Sequence, residues 1–174
     1  SLWRWQNIVP DSGISRTGAI MKLAHISHCY KPIIGGQEVY IDNLQRVLLG
    51  AGIHGDVFQP DRGVRDVDVI PVFRARVIPR FIHGSEAHLF DFFLNLRHAK
   101  ALGSYDVIIS HYALHAWAQR KHAHKTIVLS HGVEWHQENQ TWDDRKREKT
   151  AKKCFDLFPH VVNDTHYLRC HGLD

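Results

Sequence analysis

From residue 21 onward, short apolar runs alternate with longer stretches whose apolar positions recur at helical spacing. The runs at 23–27, 54–59, 67–72, 106–110, 126–130 and 161–163 are short, and several are rich in Val and Ile. That is the pattern of strands covered on both faces. The stretches at 38–49, 86–102, 113–122, 141–157 and 165–170 read as helices. In the first of them Val39, Ile41, Leu44, Val47, Leu48 and Ala51 share one face, and Gly50 and Gly52 mark its end. Strands alternating with helices predict right-handed crossovers. The fold class is therefore α/β, a Rossmann-like parallel sheet with helices on both faces. Residues 74–85 lack a period and read as a surface loop. Residues 1–20 also lack one, and they hold no apolar core of signal-peptide type. We read them as an extension or leader ahead of a domain over 21–174, with a genuine N-terminal arm as the alternative. The closing VVNDTHYLRCHGLD has no polar tail and reads as a domain cut at a linker.

The sharpest local feature is HCYKPIIGGQEVY, at 28–40, between the first strand and the first helix. In an open parallel sheet, a loop leaving the carboxyl end of a strand is a binding position. Gly35 and Gly36 are expected to adopt backbone conformations closed to other residues and to leave a ligand unobstructed. Amides at the helix start then face an anion such as a phosphate. Pro32 stiffens the entry, and Glu38 lies in the first turn, where the helix dipole favours a carboxylate. A tight turn with no ligand accounts for the same spacing. The segment is neither the G-x-G-x-x-G fingerprint nor a G-K-[ST] phosphate loop.

Composition narrows the function classes. The chain has 174 residues, 44% hydrophobic and 23% charged, enough for one domain with a real core. No run approaches the ~18 apolar residues of a spanning helix. A net charge of +4 is too small to argue for nucleic acid. Three cysteines, none in C-x-x-C spacing, argue against a disulfide framework and fit a reducing compartment. Cys29 has no base that the sequence can place beside it and reads as incidental. Among 15 histidines, His111 and His115 stand four apart with His122 and His124 nearby. H-E-x-x-H is absent and no third ligand falls at a known spacing, so no metal site is expected. The cluster DRKREKTAKK mixes acids and bases as a solvated helix face does. The segment 74–97 combines arginines with Phe90, Phe92, Phe93 and Leu96. It reads as a core helix with a solvated loop; a membrane-docking face is the alternative.

KLAHISHCYKPIIGGQEVYIDNLQRVLLGAGIHGDVFQP resembles the opening of retaining glycosyltransferases of the GT-B fold, family 4. That family begins with a strand, a P-x-x-G-G-x-E loop, a helix and a G-H-x-V second strand. Here stand Pro32, Gly35, Gly36 and Glu38, then the looser Gly52-Ile-His54-Gly-Asp-Val57. Downstream, YDVIISHYALHAWAQRKHAHKTIVLSHGVEW resembles the family's D-V-I-x-x-H strand and the H-G after its fifth strand. VVNDTHYLRCHGL resembles the closing N-S segment, with Asp164 where serine is usual.

The resemblance implies one half of a GT-B fold, the N-terminal, acceptor-side domain. The donor-binding C-terminal half is then a partner in cis that these residues do not supply, and the chain alone should not turn over. The implied reaction moves a sugar from a nucleoside diphosphate donor to an acceptor hydroxyl with retention. It needs no metal or other cofactor; the nucleotide sugar is a co-substrate. The acceptor is a saccharide, a lipid-linked sugar or a small molecule. Gly35 and Gly36 would lie at the donor diphosphate and His131 at the transferred sugar. Glu38, His111 and Glu134 would line the acceptor. The expected location is cytoplasmic, with peripheral contact at the inner face of the membrane as a variant. The rival readings are a sugar- or nucleotide-binding module without catalysis and a metal-dependent hydrolase on a similar sheet.

Overall fold

A computed structural model describes residues 21–74, 86–131 and 141–163. The elements run β1 (Lys22–Ile26), α1 (Gly36–Gly50), β2 (His54–Asp61), β3 (Val69–Arg74) and α2 (Glu86–Gly103). They continue with β4 (Val107–Ser110), α3 (Ala113–Ala118), a 3-10 segment (Arg120–Lys125), β5 (Thr126–Ser130), α4 (Trp142–Leu157) and β6 (His160–Asn163). The strands form a single sheet in the order β3-β2-β1-β4-β5-β6. Every pairing is parallel; β1 lies between β2 and β4, with Ile26 opposite Phe58 on one side and Ser110 on the other. The order reverses direction between β1 and β4, and such a switch point opens a crevice at the carboxyl ends of the strands.

Side chains alternate across the sheet with the period of two that strands impose. Leu23, Ile109 and Leu129 face α1, where Tyr40, Leu44 and Leu48 pack on them. Ala24, Ile26, Phe58 and Ile108 face the other way and pack with Phe90, Leu94 and Leu102 of α2. Val128 meets Ala113 and Ala116 of α3 and Ala151 and Cys154 of α4. Helices therefore cover both faces, as the strand and helix pattern predicts.

Several details depart from the sequence reading. Helix α1 begins at Gly36, two residues early, and its inward face is Tyr40, Ile41, Leu44 and Leu48. Val39 and Val47 are exposed instead. The predicted helix over 113–122 ends at Ala118, and His122 in the following 3-10 segment has non-helical φ −107°. Strand β2 continues through Pro60 to Asp61, because the pairing with β3 shifts register between Gln59 and Asp61. A proline is tolerated at such an irregularity because no ladder N–H is required of it. On α2, Phe90 and Leu94 are buried, whereas Phe92 and Leu96 stand in solvent. The helix expected at 165–170, and residues 75–85 of the predicted loop, lie outside the described residues.

Two caps fix where the helices sit. At the end of α1, Ile53 N–H bonds Leu48 O and Gly52 N–H bonds Leu49 O, both at 2.9 Å, with Gly52 at φ +77°. This is the glycine-dependent stop. At the start of α4, Thr141 Oγ1 accepts from Asp144 N–H (3.2 Å) and Asp144 accepts from Thr141 N–H (3.0 Å).

Candidate functional site

The switch point brings together residues just past β1, β4 and β5 and the first turn of α1. Ser27 follows β1. Its N–H bonds Phe58 O (3.2 Å), and its Oγ bonds Cys29 O (2.6 Å), which turns the chain out of the sheet. His111 follows β4 and donates its N–H to Ile26 O (3.0 Å). Gln37, in the first turn of α1, reaches across with Nε2 to Ser27 Oγ and His111 O, both at 3.3 Å. The start of α1 is thus tied to the ends of both strands that flank the switch.

Helix α1 opens with Gly35 at φ −124°, ψ −176°, an extended backbone that any residue adopts. Gly35 and Gly36 are not among the positive-φ glycines, so the expected conformational reason for the pair does not hold. A Cβ on Gly36 would meet nothing within 4 Å, and one on Gly35 would meet only the end of the Glu38 side chain, at 2.8 Å. Glu38 Oε2 accepts the Gly35 N–H (3.1 Å), so this carboxylate caps its own helix. Among the described residues the Gly36 and Gln37 amides have no acceptor. They are the orphan donors that every helix start carries.

Two chains of imidazoles occupy the floor. In the first, His25 Nδ1 meets His111 Nε2 at 2.9 Å, and His111 Nδ1 meets His131 Nε2 at 3.1 Å. The His111 and His131 rings stack 5.4 Å apart at 7°, and Tyr40 of α1 sets its ring edge against His131 at 4.8 Å. His25 and His111 are fully buried. Burial lowers His25 to about 4, against the opposing pull of Gln45 and Asp68. Gln45 commits its amide N–H to Gly55 O (2.6 Å), and among the described residues His25 Nε2 is buried with no hydrogen-bond partner. Burial, reinforced by the neighbouring imidazoles, holds His111 well below the ordinary histidine value.

In the second chain, Asp91 Oδ1 meets His115 Nδ1 at 2.7 Å, and His115 Nε2 meets His28 Nδ1 at 2.8 Å. His115 is fully buried and Asp91 nearly so. Phe90 sets its ring edge against His115 at 4.9 Å. Burial, with His115, Arg62 and Arg147 nearby, lowers His28 to about 3.

The sequence-predicted residues therefore separate. Gly35 and Gly36 open α1, and Tyr40, one turn further along that helix, sets its ring edge against His131 just past β5. His111 is buried, with its two ring nitrogens engaged by His25 and His131. The Glu38 carboxylate is turned back onto Gly35. Glu134 lies outside the described residues. His111 and His115, four apart, serve different imidazole chains, and among the described residues no three His, Cys, Asp or Glu side chains converge as a metal requires. Burial raises the Cys29 thiol, which keeps it protonated rather than nucleophilic. Sequence reasoning missed His25, His28, His115, Asp91 and Gln37. For the three histidines the one signal was the surplus of that residue type, and for Asp91 and Gln37 there was none.

A model of the family described as Glycosyltransferase Family 4 matches residues 34–171. No curated protein matches the chain. Among solved structures, sucrose-phosphate synthase from Thermosynechococcus elongatus has a similar fold, with a TM-score of 0.63 at 22% identity over 86% of this chain. A second structure of that enzyme from the same organism gives 0.56 at 19% identity, covering 87% of this chain and 80% of that one. The chain spans 45% of the length of the first. Among the described residues no helix is long and apolar enough to cross a membrane.

Proposed function

Since the chain belongs to glycosyltransferase family 4, we propose that it is the acceptor-side half of an enzyme that moves a sugar from a nucleoside diphosphate donor to an acceptor hydroxyl with retention. A second Rossmann-like half, in cis, brings the nucleotide sugar. The observation that carries this reading is the start of α1. Among the described residues its Gly36 and Gln37 amides are unclaimed and the space at Gly36 is open, while Tyr40 of the same helix sets its ring edge on His131. Charge builds on the leaving diphosphate as the glycosidic bond breaks, and preorganised amides facing that charge lower the barrier. His131, held by His111, meets the transferred sugar. No metal is required, because the helix start supplies the anion's partners. Glu38 keeps Gly35 in place rather than binding the acceptor itself, and Glu134 remains a candidate for acceptor hydroxyls.

The test is Gly36→Ala in the protein that carries both halves. A methyl group there meets no atom within 4 Å among the described residues, and alanine is the better helix former, so melting temperature should hold or rise slightly. Transfer from a nucleotide sugar should fall, with KM for the donor raised. The anomeric configuration of the product, read by NMR, decides retention. Unchanged donor kinetics in a folded Gly36→Ala protein would remove the helix start from the site. Nucleotide-sugar binding without any turnover by the complete protein would favour a binding module instead.

A further inference from the structure

The Asp91–His115–His28 chain is not accounted for by the reading above. It spans three elements: Asp91 comes from α2, His115 from α3, and His28 from the loop after β1. Its inner members are buried in the core, yet its outer member stands at the switch-point crevice. His28 is half-buried, and its Nε2 makes no hydrogen bond among the described residues. Two neighbours hold that loop. Arg62 Nη2 donates to His28 O (3.2 Å) and to Glu86 (2.7 Å), and the Tyr112 ring packs edge-on against the imidazole at 5.4 Å.

Hydrogen-bond roles along the chain are constrained. A carboxylate only accepts, so His115 Nδ1 carries the proton in its bond to Asp91. A neutral His115 then has a lone pair at Nε2, and His28 Nδ1 must donate to it. A neutral His28 with its proton on Nδ1 has a lone pair at Nε2, on the opposite edge of the ring. A charged His115 would reverse the last bond and make His28 Nε2 a donor. Burial, with the positive charges of Arg62 and Arg147 at the rim, disfavours a proton added to His28 itself. With His115 neutral, His28 keeps one fixed acceptor atom, Nε2, on the loop that leaves the carboxyl end of β1, where ligands bind in open parallel sheets.

We propose that His28, oriented by Asp91 and His115, binds the sugar or polyol acceptor by accepting a hydrogen bond from one of its hydroxyls at Nε2. Asp91 and His115 are positioning residues: they set which His28 nitrogen bears the proton. This assignment rests on the acceptor-side reading, and it reaches beyond it by naming the group that meets the hydroxyl.

The test is direct observation of the rings. In the unaltered chain labelled with 15N-histidine, long-range proton–nitrogen spectra at about pH 8, above the ordinary imidazole range, report each tautomer. His115 and His28 should both carry the proton on Nδ1. D-glucose, titrated to molar concentration as the hydroxyl probe, should shift the unprotonated Nε2 of His28 saturably and leave exposed His54 unmoved. Asp91→Asn, which can present an N–H to His115, should move the His28 proton to Nε2 and abolish the response. In the protein carrying both halves, His28→Phe should raise KM for the hydroxyl acceptor roughly 2- to 12-fold, the worth of one neutral hydrogen bond. Under the same assay kcat should change little, and His28→Gln, whose Oε1 accepts, should recover part of the loss. A His28 proton found on Nε2, or a His28 signal indifferent to glucose, overturns the proposal even if sugar transfer is intact. A saturable His28 response in a complete protein that transfers no sugar leaves the hydroxyl site standing and removes the glycosyl-transfer reading.

Discussion

The two imidazole chains should make this fold acid-labile well above the pH at which carboxylates protonate. In the folded chain His25 titrates at about 4 and His28 at about 3, and His111 lies well below 6.5. In the unfolded chain each returns to the ordinary value near 6.5. The unfolded state therefore binds more protons through this window. Stability is complete above about pH 6.5 and falls as pH drops below it, with the loss ending only near each folded value. One unit of displacement is about 1.4 kcal/mol, so at about pH 5 His25 and His28 each remove about 2 kcal/mol. His111 acts in the same direction. His25 touches His111, so those two losses do not add in full, whereas His25 and His28 lie in separate chains and theirs do. A total near 4 kcal/mol is still a large part of the ~5–15 kcal/mol that holds a domain together. Asp61 and Asp66, lowered by hydrogen bonds from Arg65 and Lys31, stabilise the fold in a different window, and that contribution is lost only as pH falls through the carboxylate range. Urea titrations at about pH 7.5, 6.5, 5.5 and 5 isolate the histidines. The midpoint should fall steadily below about pH 6.5, and in His25→Leu the slope should shrink by close to one proton. A midpoint that does not move between about pH 7.5 and 5 would refute the reasoning, because it requires the buried rings to be as easily protonated in the fold as out of it.

Three further outcomes follow from the packing. Gly55→Ala should destabilise by about 1–3 kcal/mol, because its Cβ would stand 2.6 Å from Gln45 Oε1, 2.9 Å from Leu23 Cδ2 and 3.0 Å from His25 Cδ2; chemical denaturation measures it, and a neutral result would mean that Gln45 moves aside freely. Phe90→Ala should cost about 3–5 kcal/mol, since the ring is fully buried in the α2 face of the sheet and braces His115; thermal unfolding checks the loss, and nitrogen shifts of His115 check the brace. Mass mapping after iodoacetamide at neutral pH should find Cys29 modified slowly and Cys154 not at all until urea is added, because Cys154 is fully buried with Sγ on Ala113 O at 3.0 Å.

What the sequence made legible was whatever depends on neighbours a few residues apart. Each described strand was found within about two residues, because alternating Val, Ile and Leu is a local signal. The end of α1 was found because Gly50 and Gly52 bracket a stop that needs a positive φ only at Gly52. The break after Ala118 was not found, because nothing in AWAQRKHAHK forbids helix; the chain tightens there as it returns to β5 beneath it. The glycine pair was read wrongly as a conformational need. Gly35 sits in ordinary extended backbone, and what the pair supplies is room.

The site shows why the remainder lay out of reach. The bond from His28 to His115 joins residues 87 apart, and that from His115 to Asp91 joins residues 24 apart. No local pattern encodes either. They arise because β1 and β4 are neighbours in the sheet though far apart in the chain, so the residues after both strands share one crevice. A count of 15 histidines signalled an excess, but only the strand order says which of them meet. The same order decides roles. His111, one residue past β4, is drawn under the sheet edge and becomes a brace, whereas His28, two residues past β1, is carried clear of it and keeps a nitrogen for a ligand. One residue of difference in the distance from a strand end thus separates a fully buried histidine from a half-buried one, and a helix carboxylate, Asp91, anchors the chain of rings that ends at the outer one.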